Sequence, residues 1–310
     1  MRDDLLVEQA GPRGLQPALH PAGECLNLDE LFQWFVKACR SEKLAEVTIY
    51  GYELSFKNFK RWLAAHTDVR LVADISKRHL YEFRRHCLDA GNSPNTVRHK
   101  TSLIRTVFLR AFNEELIPRY PFIGFRNLRV DEPPLRPVLT MSEMKAISDQ
   151  IHNPELKLAW DIARFTGMRG ADMTRIHMEN IDHQRRAVRF WMAKRHRWTV
   201  LPLYHKLSER LGEFAGKEGL LFPERKGRKL FSQAFHRQIV LLKGPSFKCA
   251  GSHTPRHSFA SFLYAQRVRW EDIAFLLGHK IRGVTDRYIR QEDHLEYFRE
   301  ILDGLPLDGH

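Results

Sequence analysis

Five prolines crowd into residues 118–137, near the middle of the chain. Because proline lacks a backbone N–H and fixes φ, this density interrupts both helices and central strands. We therefore predict an interdomain linker over residues 118–138, between one domain of residues 25–117 and another of residues 139–310. A length of 310 residues leaves room for about two such domains.

The first domain is predicted to be helical. Its apolar residues recur every three or four positions in four segments, and no segment alternates as a strand does. Residues suited to starting a helix stand before these segments, at Asn27, Thr48, Ser76 and Ser93. Residues 1–24 contain Gly and Pro without periodicity and are predicted to form a flexible tail.

The second domain is predicted to combine helices with a small sheet. Residues 188–191 and 199–201 are typical of two short strands, and the turn between them is basic. Helical spacing on both sides of these strands makes the expected fold class mainly α with a small β-sheet (α+β). Near the C-terminus, residues 292–305 carry the apolar stripe of an amphipathic helix, formed by Leu295, Phe298, Leu302 and Leu305.

The residues best suited to catalysis lie between His253 and Tyr288. A Thr-Pro pair at 254–255 is typical of a helix start. It places Arg256 and His257 in the first turn, where amide N–H groups and the helix dipole favour an anion. The unperturbed pKa of tyrosine is about 10, so Tyr288 needs cations or a base nearby to act as a nucleophile at neutral pH.

This stretch, which continues through Leu277-Gly278-His279, resembles the C-terminal motif of the tyrosine recombinases, the phage-integrase family of DNA strand-exchange enzymes. Upstream, Thr166-Gly167-Met168-Arg169 followed by Asp172 resembles the first-arginine motif of that family. Lys194 stands before a Leu-Pro-Leu sequence that resembles the end of the family's hairpin. The resemblance implies a helical core-binding domain followed by a mixed α/β catalytic domain.

The resemblance also implies a transesterification at a DNA phosphodiester. Tyr288 attacks to give a 3′-phosphotyrosyl bond, His253 assists its deprotonation, and Lys194 protonates the departing 5′ oxygen. The phosphate is held by Arg169, Arg256 and His279. Because the covalent bond conserves the energy of the phosphodiester, no nucleotide, metal or other cofactor is expected.

Two further residues are expected to support the site. Asp172 would orient Arg169 or His257, and His257 would pack behind the site. His196 competes with Lys194 as proton donor, because its unperturbed pKa of about 6.5 suits the task. Zinc binding at the two histidines of the His-x-x-Arg-His cluster is the weaker alternative, since no third ligand stands at a metal spacing nearby.

The charge of the chain indicates a polyanionic partner. Its 50 Lys and Arg residues exceed its 37 Asp and Glu residues by 13, and its pI is about 9.7. Nucleic acid fits this charge better than an anionic membrane surface. The residues predicted to contact DNA are Lys57, Lys60, Arg61, Arg98, Lys100, Arg105, Arg195 and Arg197. A solvated helix face is the alternative interpretation of those in the helical domain.

The resemblance implies double-stranded DNA at a specific recombination site as substrate, and other protomers in a synaptic tetramer as partners. Accessory DNA-bending or directionality factors are a further class of partner. Residues 1–24 are unlike a signal peptide, and no apolar run reaches the roughly 18 residues of a membrane span. We therefore expect a cytoplasmic, nucleoid-associated protein. The C-terminal stripe could dock on a neighbouring protomer or on its own core, and we favour the neighbour.

Three other functions share some of these features. A type IB topoisomerase would use much the same catalytic residues to relax supercoils. A non-catalytic DNA-binding protein would explain the charge and the helices but not the ordered motifs. A soluble phosphohydrolase would explain the phosphate site but not the basic excess. The ordered motifs favour the recombinase.

Overall fold

The computed structural model describes residues 26–130, 136–192, 197–223, 229–247, 251–278 and 294–309. The chain divides into two compact units, Met1–Pro133 and Pro134–His310. Among the described residues, helices predominate and one small sheet lies in the second unit. The predicted fold class is therefore confirmed. The tail predicted over residues 1–24 lies outside the described residues.

The described part of the first unit contains α1 (Leu28–Ser41), α2 (Glu46–His66), α3 (Lys77–Asp89) and α4 (Pro94–Asn113), with a 3₁₀ turn at Val72–Asp74. Local chemistry sets several of the helix starts, but α2 begins at Glu46, before the predicted start at Thr48, and Ala45 offers no side-chain cap. The Asn27 side chain accepts hydrogen bonds from the N–H groups of Asp29 and Glu30, both at 2.9 Å, and so caps α1. Ser76 and Ser93 precede α3 and α4, as predicted.

Aromatic side chains form much of the core of the first unit. Phe59 and Phe83 make an edge-to-face contact with ring centroids 5.2 Å apart. Beyond α4, Phe122 contacts Phe108 at 4.9 Å, and Phe125 stacks on Tyr81 at 4.6 Å. An aromatic side chain gains much by burial even where prolines have interrupted the helix. The core of the first unit therefore reaches Phe125, within the predicted linker of residues 118–138.

The described helices of the second unit are α5 (Met141–Gln150), α6 (Pro154–Thr166), α7 (Gly170–Met173), α8 (His205–Leu211), α9 (Lys229–Lys243), α10 (Thr254–Ala265), α11 (Trp270–Leu276) and α12 (Leu295–Asp303). Short 3₁₀ turns lie at Met178–Asn180, Gly212–Phe214 and Gly251–His253. Thr140 caps α5 and Gly167 ends α6, as predicted. The chain at Gly167 turns with φ +61°, a left-handed conformation that glycine adopts readily.

The sheet of the second unit consists of β1 (Ile181–Asp182), β2 (Ala187–Met192) and β3 (Arg197–Pro202). The strands are antiparallel in the order β1-β2-β3, with Val188 opposite Leu201. Both predicted strands are present. The two-residue β1 was not predicted, because it is too short to show a period.

The C-terminal helix docks on the core of its own chain. Leu295, Phe298 and Leu302 are buried, and the Phe298 ring stacks on Phe275 with centroids 4.3 Å apart. Beyond the helix, Leu307 is fully buried in the same core. Our preference for docking on a neighbouring protomer is therefore not what the structure shows: the stripe finds an apolar surface on α11 and the sheet. Among the described residues, no helix is long and apolar enough to cross a membrane.

Candidate active site

Arg256 lies in the first turn of α10, next to where this helix begins. Pro255 occupies the start of the helix, as predicted, while the N-cap position is His253 rather than Thr254. The one-residue difference leaves Arg256 and His257 in the first turn, where the helix dipole favours an anion. Arg256 is 6% exposed, so its charge lies almost entirely within the protein.

The Arg256 guanidinium ties together three segments that are far apart in sequence. Its Nη1 donates to the carbonyl oxygen of Gly167 at 2.8 Å, and its Nη2 donates to that of Leu277 at 2.6 Å. Gly167 ends α6, and Leu277 is the C-cap of α11. These bonds fix the ends of two helices against the first turn of α10, and the chain that continues from each end carries further residues of the predicted site.

Arg169 follows Gly167 closely and is the N-cap residue of α7. Its Nη1 lies 3.9 Å from a carboxylate oxygen of Asp172, which is buried at 2% exposure. A Cβ at Gly167 would lie 2.7 Å from the Leu277 side chain and 2.9 Å from that of Phe259. Glycine therefore permits both the turn and the close packing that place Arg169.

The sheet reaches the same cluster through Met192, the last residue of β2. The Met192 sulfur lies 4.0 Å from Arg169 Nη1. The Met192 side chain also packs directly against Gly278, where a Cβ would overlap it. The hairpin strands, the first-arginine segment and the end of α11 therefore meet at one place.

Two histidines flank Arg256. His253 is exposed and His257 is half-buried, with their ring centroids 6.3 Å apart. Burial, together with the charges of Arg136 and Arg256, lowers the pKa of His257 below its ordinary value. Arg136 Nη1 lies 3.0 Å from His257 Nε2, and an arginine can only donate. His257 is therefore neutral, with its proton on Nδ1.

The structure brings together five of the predicted site residues: Arg169, Asp172, His253, Arg256 and His257. Lys194, Arg195, His196, His279 and Tyr288 lie outside the described residues. Within the described part of the chain, no group of three or more His, Cys, Asp or Glu is placed to hold a metal ion.

The cations predicted to contact DNA in the first unit have different surroundings. Lys57 and Arg61 are exposed on α2, whereas Lys60 pairs with Asp29. Arg98 and Lys100 contact the side chains of Asn95 and Asn92, respectively.

Arg105 donates to Tyr120 Oη at 3.3 Å and to Asn127 Oδ1 at 3.0 Å, so it holds the chain that follows α4 in place. Arg197, in the second unit, is half-buried at the start of β3.

Three residues that shape the site were not predicted from the sequence. Arg136 fell inside the predicted linker, and a single arginine beside a proline gives no signal of its contact with His257. Met192 follows the predicted strand of residues 188–191, and one apolar residue there gives no signal of its contact with Arg169. The Ser258 side chain accepts a hydrogen bond from the Leu139 N–H at 2.8 Å, a contact over 119 residues that no local pattern reveals.

In the mixed unit that follows the helical one, two arginines and two histidines gather around a helix start, an arrangement typical of proteins that bind anionic groups such as phosphate. Comparison with known proteins makes the class specific. The chain matches the model of the phage integrase family over residues 137–294 and that of the phage integrase SAM-like domain over residues 30–127. The chain therefore belongs to the phage integrase family, the tyrosine recombinases, and is an enzyme that cuts and rejoins DNA at specific sites.

A curated relative agrees with this membership, and solved structures share the fold. The chain is 22% identical to the tyrosine recombinase XerD of Staphylococcus aureus over 279 residues, which covers 84% of this chain and 94% of XerD. It resembles a lambda integrase dimer bound to a COC′ core site, with a TM-score of 0.66, 19% identity, and coverage of 86% and 78% of the two chains. A lambda integrase tetramer bound to a Holliday junction matches with the same TM-score and identity, covering 84% and 79%.

Proposed function

We propose that this recombinase exchanges DNA strands through a 3′-phosphotyrosyl intermediate formed by Tyr288. The observation that carries the proposal is the pair of hydrogen bonds from Arg256 to Gly167 and Leu277. They hold the segments that lead to Arg169 and to His279 against the first turn of α10. A group of cations at the start of a helix is suited to a phosphodiester.

Arg169 and Arg256 act on the non-bridging oxygens of the scissile phosphate. As Tyr288 attacks, negative charge builds on those oxygens, and cations fixed in advance stabilise it without reorganising. The burial of Arg256 strengthens this effect, because a charge interacts more strongly where water is excluded. His279 contributes a further donor to the same phosphate.

Two proton transfers accompany the exchange of bonds. The Tyr288 oxygen forms a bond to phosphorus, and its proton passes to His253, which is exposed beside Arg256. The bond from phosphorus to the 5′ oxygen breaks, and Lys194 gives that oxygen a proton. Religation runs the same steps in reverse with a 5′ hydroxyl as the nucleophile.

Asp172 and His257 each position an arginine and do not react themselves. Asp172 lies 3.9 Å from Arg169, near enough for its charge to favour one orientation of the guanidinium. The neutral His257 accepts a hydrogen bond from Arg136. Neither residue is expected to exchange a proton with DNA.

The partners follow from the relatives. The lambda integrase structures are a dimer on a core site and a tetramer on a Holliday junction, so we infer that protomers of this chain also assemble on duplex DNA. Lys57 and Arg61 are the exposed cations of α2 best suited to contact the phosphate backbone. The enzyme would act on the nucleoid in the cytoplasm, with accessory DNA-bending or directionality factors as further partners.

The test uses duplex DNA selected from random sequence by binding to the protein. On a nicked version of that duplex, the protein should form a complex that survives denaturant, and two copies of the site on one plasmid should recombine. Relaxation of supercoils without recombination would favour a topoisomerase. Binding without a covalent complex would leave only a DNA-binding protein.

A further inference from the structure

The chain that enters the second unit is fastened along the first turn of α10. The Leu139 N–H donates to Ser258 Oγ at 2.8 Å, and the Ser258 hydroxyl donates to the Thr254 carbonyl oxygen at 2.9 Å. Ser258 is 1% exposed, so these bonds are shielded from water. They fix residues 136–139 beside the helix start that carries the candidate phosphate site.

Arg136 is fixed at a second point on the same turn. Its Nη1 donates to His257 Nε2 at 3.0 Å, although the arginine is exposed. Several cations among the described residues are paired with a carboxylate, as Lys60 is with Asp29. Within the described residues, Arg136 has no carboxylate partner. The neutral His257 orients the guanidinium, and no carboxylate among the described residues balances its positive charge.

The position of Arg136 places that charge at the edge of the site. The ring of His257 lies 6.3 Å from that of His253, the N-cap residue of α10. The scissile phosphate would lie against His253 and Arg256. Successive phosphates along one DNA strand are separated by several ångströms, so a cation beyond His257 is suited to a phosphate next to the scissile one rather than to the scissile phosphate itself.

We propose that Arg136 binds a DNA backbone phosphate adjacent to the scissile phosphate and that His257 is the positioning residue that aims it. The inference rests on the proposed function, because it assumes that the cluster around Arg256 holds the scissile phosphate. In this proposal His257 does more than pack behind the site. Its uncharged ring accepts a hydrogen bond that holds Arg136 in place, and the charge of Arg136 remains available to DNA.

The test compares Arg136→Gln with Arg267→Gln. Arg267 is exposed just beyond the other end of α10, so both variants remove one exposed charge beside the same helix. With the selected duplex, Arg136→Gln should make the plot of log K against log salt shallower by about 0.9, the value for one phosphate contact on duplex DNA. The Arg267→Gln slope should equal that of the wild-type protein.

A scan with uncharged methylphosphonates locates the contact. Neutralising one phosphate next to the scissile position should weaken wild-type binding on the order of tenfold, as expected for a charge-assisted hydrogen bond. Arg136→Gln should lose that sensitivity and keep the others. If it keeps the wild-type sensitivity at every phosphate, or if its salt slope is unchanged, the proposal is wrong.

His257 variants separate positioning from packing. His257→Gln retains a neutral acceptor and should keep most of the salt slope, whereas His257→Ala should shift the slope as Arg136→Gln does. Equal slopes for wild-type protein and His257→Ala, at a lowered melting temperature, would show that His257 only packs. These experiments measure DNA binding, so their outcome does not depend on whether a covalent complex forms. Failure to form a covalent complex would overturn the proposed function rather than the role of Arg136.

Discussion

Gly278 packs against Met192 so closely that a Cβ at Gly278 would overlap the methionine side chain. The contact joins the end of α11 to the end of β2. Gly278 also has φ +63°, in the region that favours glycine. It therefore couples the segment that continues to His279 with the strand that continues to Lys194.

Comparing Gly278→Ala with Gly216→Ala should separate the cost of backbone strain at a positive φ from the cost of the close contact with Met192. Gly216 has φ +74° and open space around its Cβ position, so alanine there meets only backbone strain, about 1 kcal/mol. Alanine at Gly278 also forces the flexible end of the buried Met192 side chain to move, which adds an overpacking cost of about 1 kcal/mol, the low end of the usual range. Chemical denaturation should show the larger loss for Gly278→Ala. Equal losses would mean that Met192 moves aside freely.

Truncation after Arg290 should unfold the second unit. It removes the buried side chains of Leu295, Phe298, Leu302 and Leu307, each stabilising by about 1.5–3 kcal/mol, against a typical total of about 5–15 kcal/mol. Circular dichroism and protease resistance of the truncated protein measure the effect. A folded protein that binds one DNA site would instead support docking of the helix on a neighbouring protomer.

A milder version of the same test is Phe298→Ala, which removes the stack on Phe275. We expect a loss of about 3–5 kcal/mol in the free energy of unfolding. Glu300→Ala, on the exposed side of α12, should change it by less than about 0.5 kcal/mol. Similar small changes in both variants would contradict the docking of α12 on its own core.

The lowered pKa of His257 predicts how stability depends on pH. The unfolded chain binds a proton at His257 near pH 6.5, while the folded protein binds it only at lower pH. Stability is therefore fully present above about pH 6.5 and falls as the pH drops from there through the folded pKa. Thermal melts of wild-type protein and His257→Gln across this window should converge toward acid pH. Parallel curves would show that His257 does not titrate in this way.

Local sequence chemistry was enough to predict many elements of the fold. Asn27, Thr140 and Gly167 act on backbone groups within one helical turn, so their neighbours in sequence are their neighbours in space. The bonds from Arg256 to Gly167 and Leu277 join residues 89 and 21 positions apart. The resemblance to a family indicated that Arg256 matters, but only the fold shows what it holds together.

The docking of α12 and the contact of Arg136 could not be predicted either, because both depend on residues far away in the sequence. The apolar stripe on α12 can pack on any apolar surface. Whether it docks on its own chain or on a neighbouring protomer depends on whether α11 exposes Phe275 to it. Arg136 lies in a proline-rich stretch of the sequence, and that composition carries no information about what the arginine contacts.

Lys194 is the expected proton donor, with His196 as its competitor. An arginine keeps its proton because its pKa lies far above neutrality, whereas the pKa of a lysine can fall toward neutrality beside other cations. Lys194→Ala should cleave ordinary DNA slowly and recover on DNA with a bridging 5′ sulfur, whose departure needs no acid. Arg256→Ala should gain little from the sulfur. Recovery by His196→Ala instead would assign the proton to His196.

The identity of the residue joined to DNA tests the mechanism most directly. The covalent complex formed on a nicked duplex can be digested with protease, and the peptide that carries the nucleotide identified by mass spectrometry. We expect the 3′ phosphate on Tyr288, and no complex from Tyr288→Phe although that variant still binds DNA. A nucleotide attached to Tyr264 or Tyr297, or a complex that persists in Tyr288→Phe, would contradict the assignment.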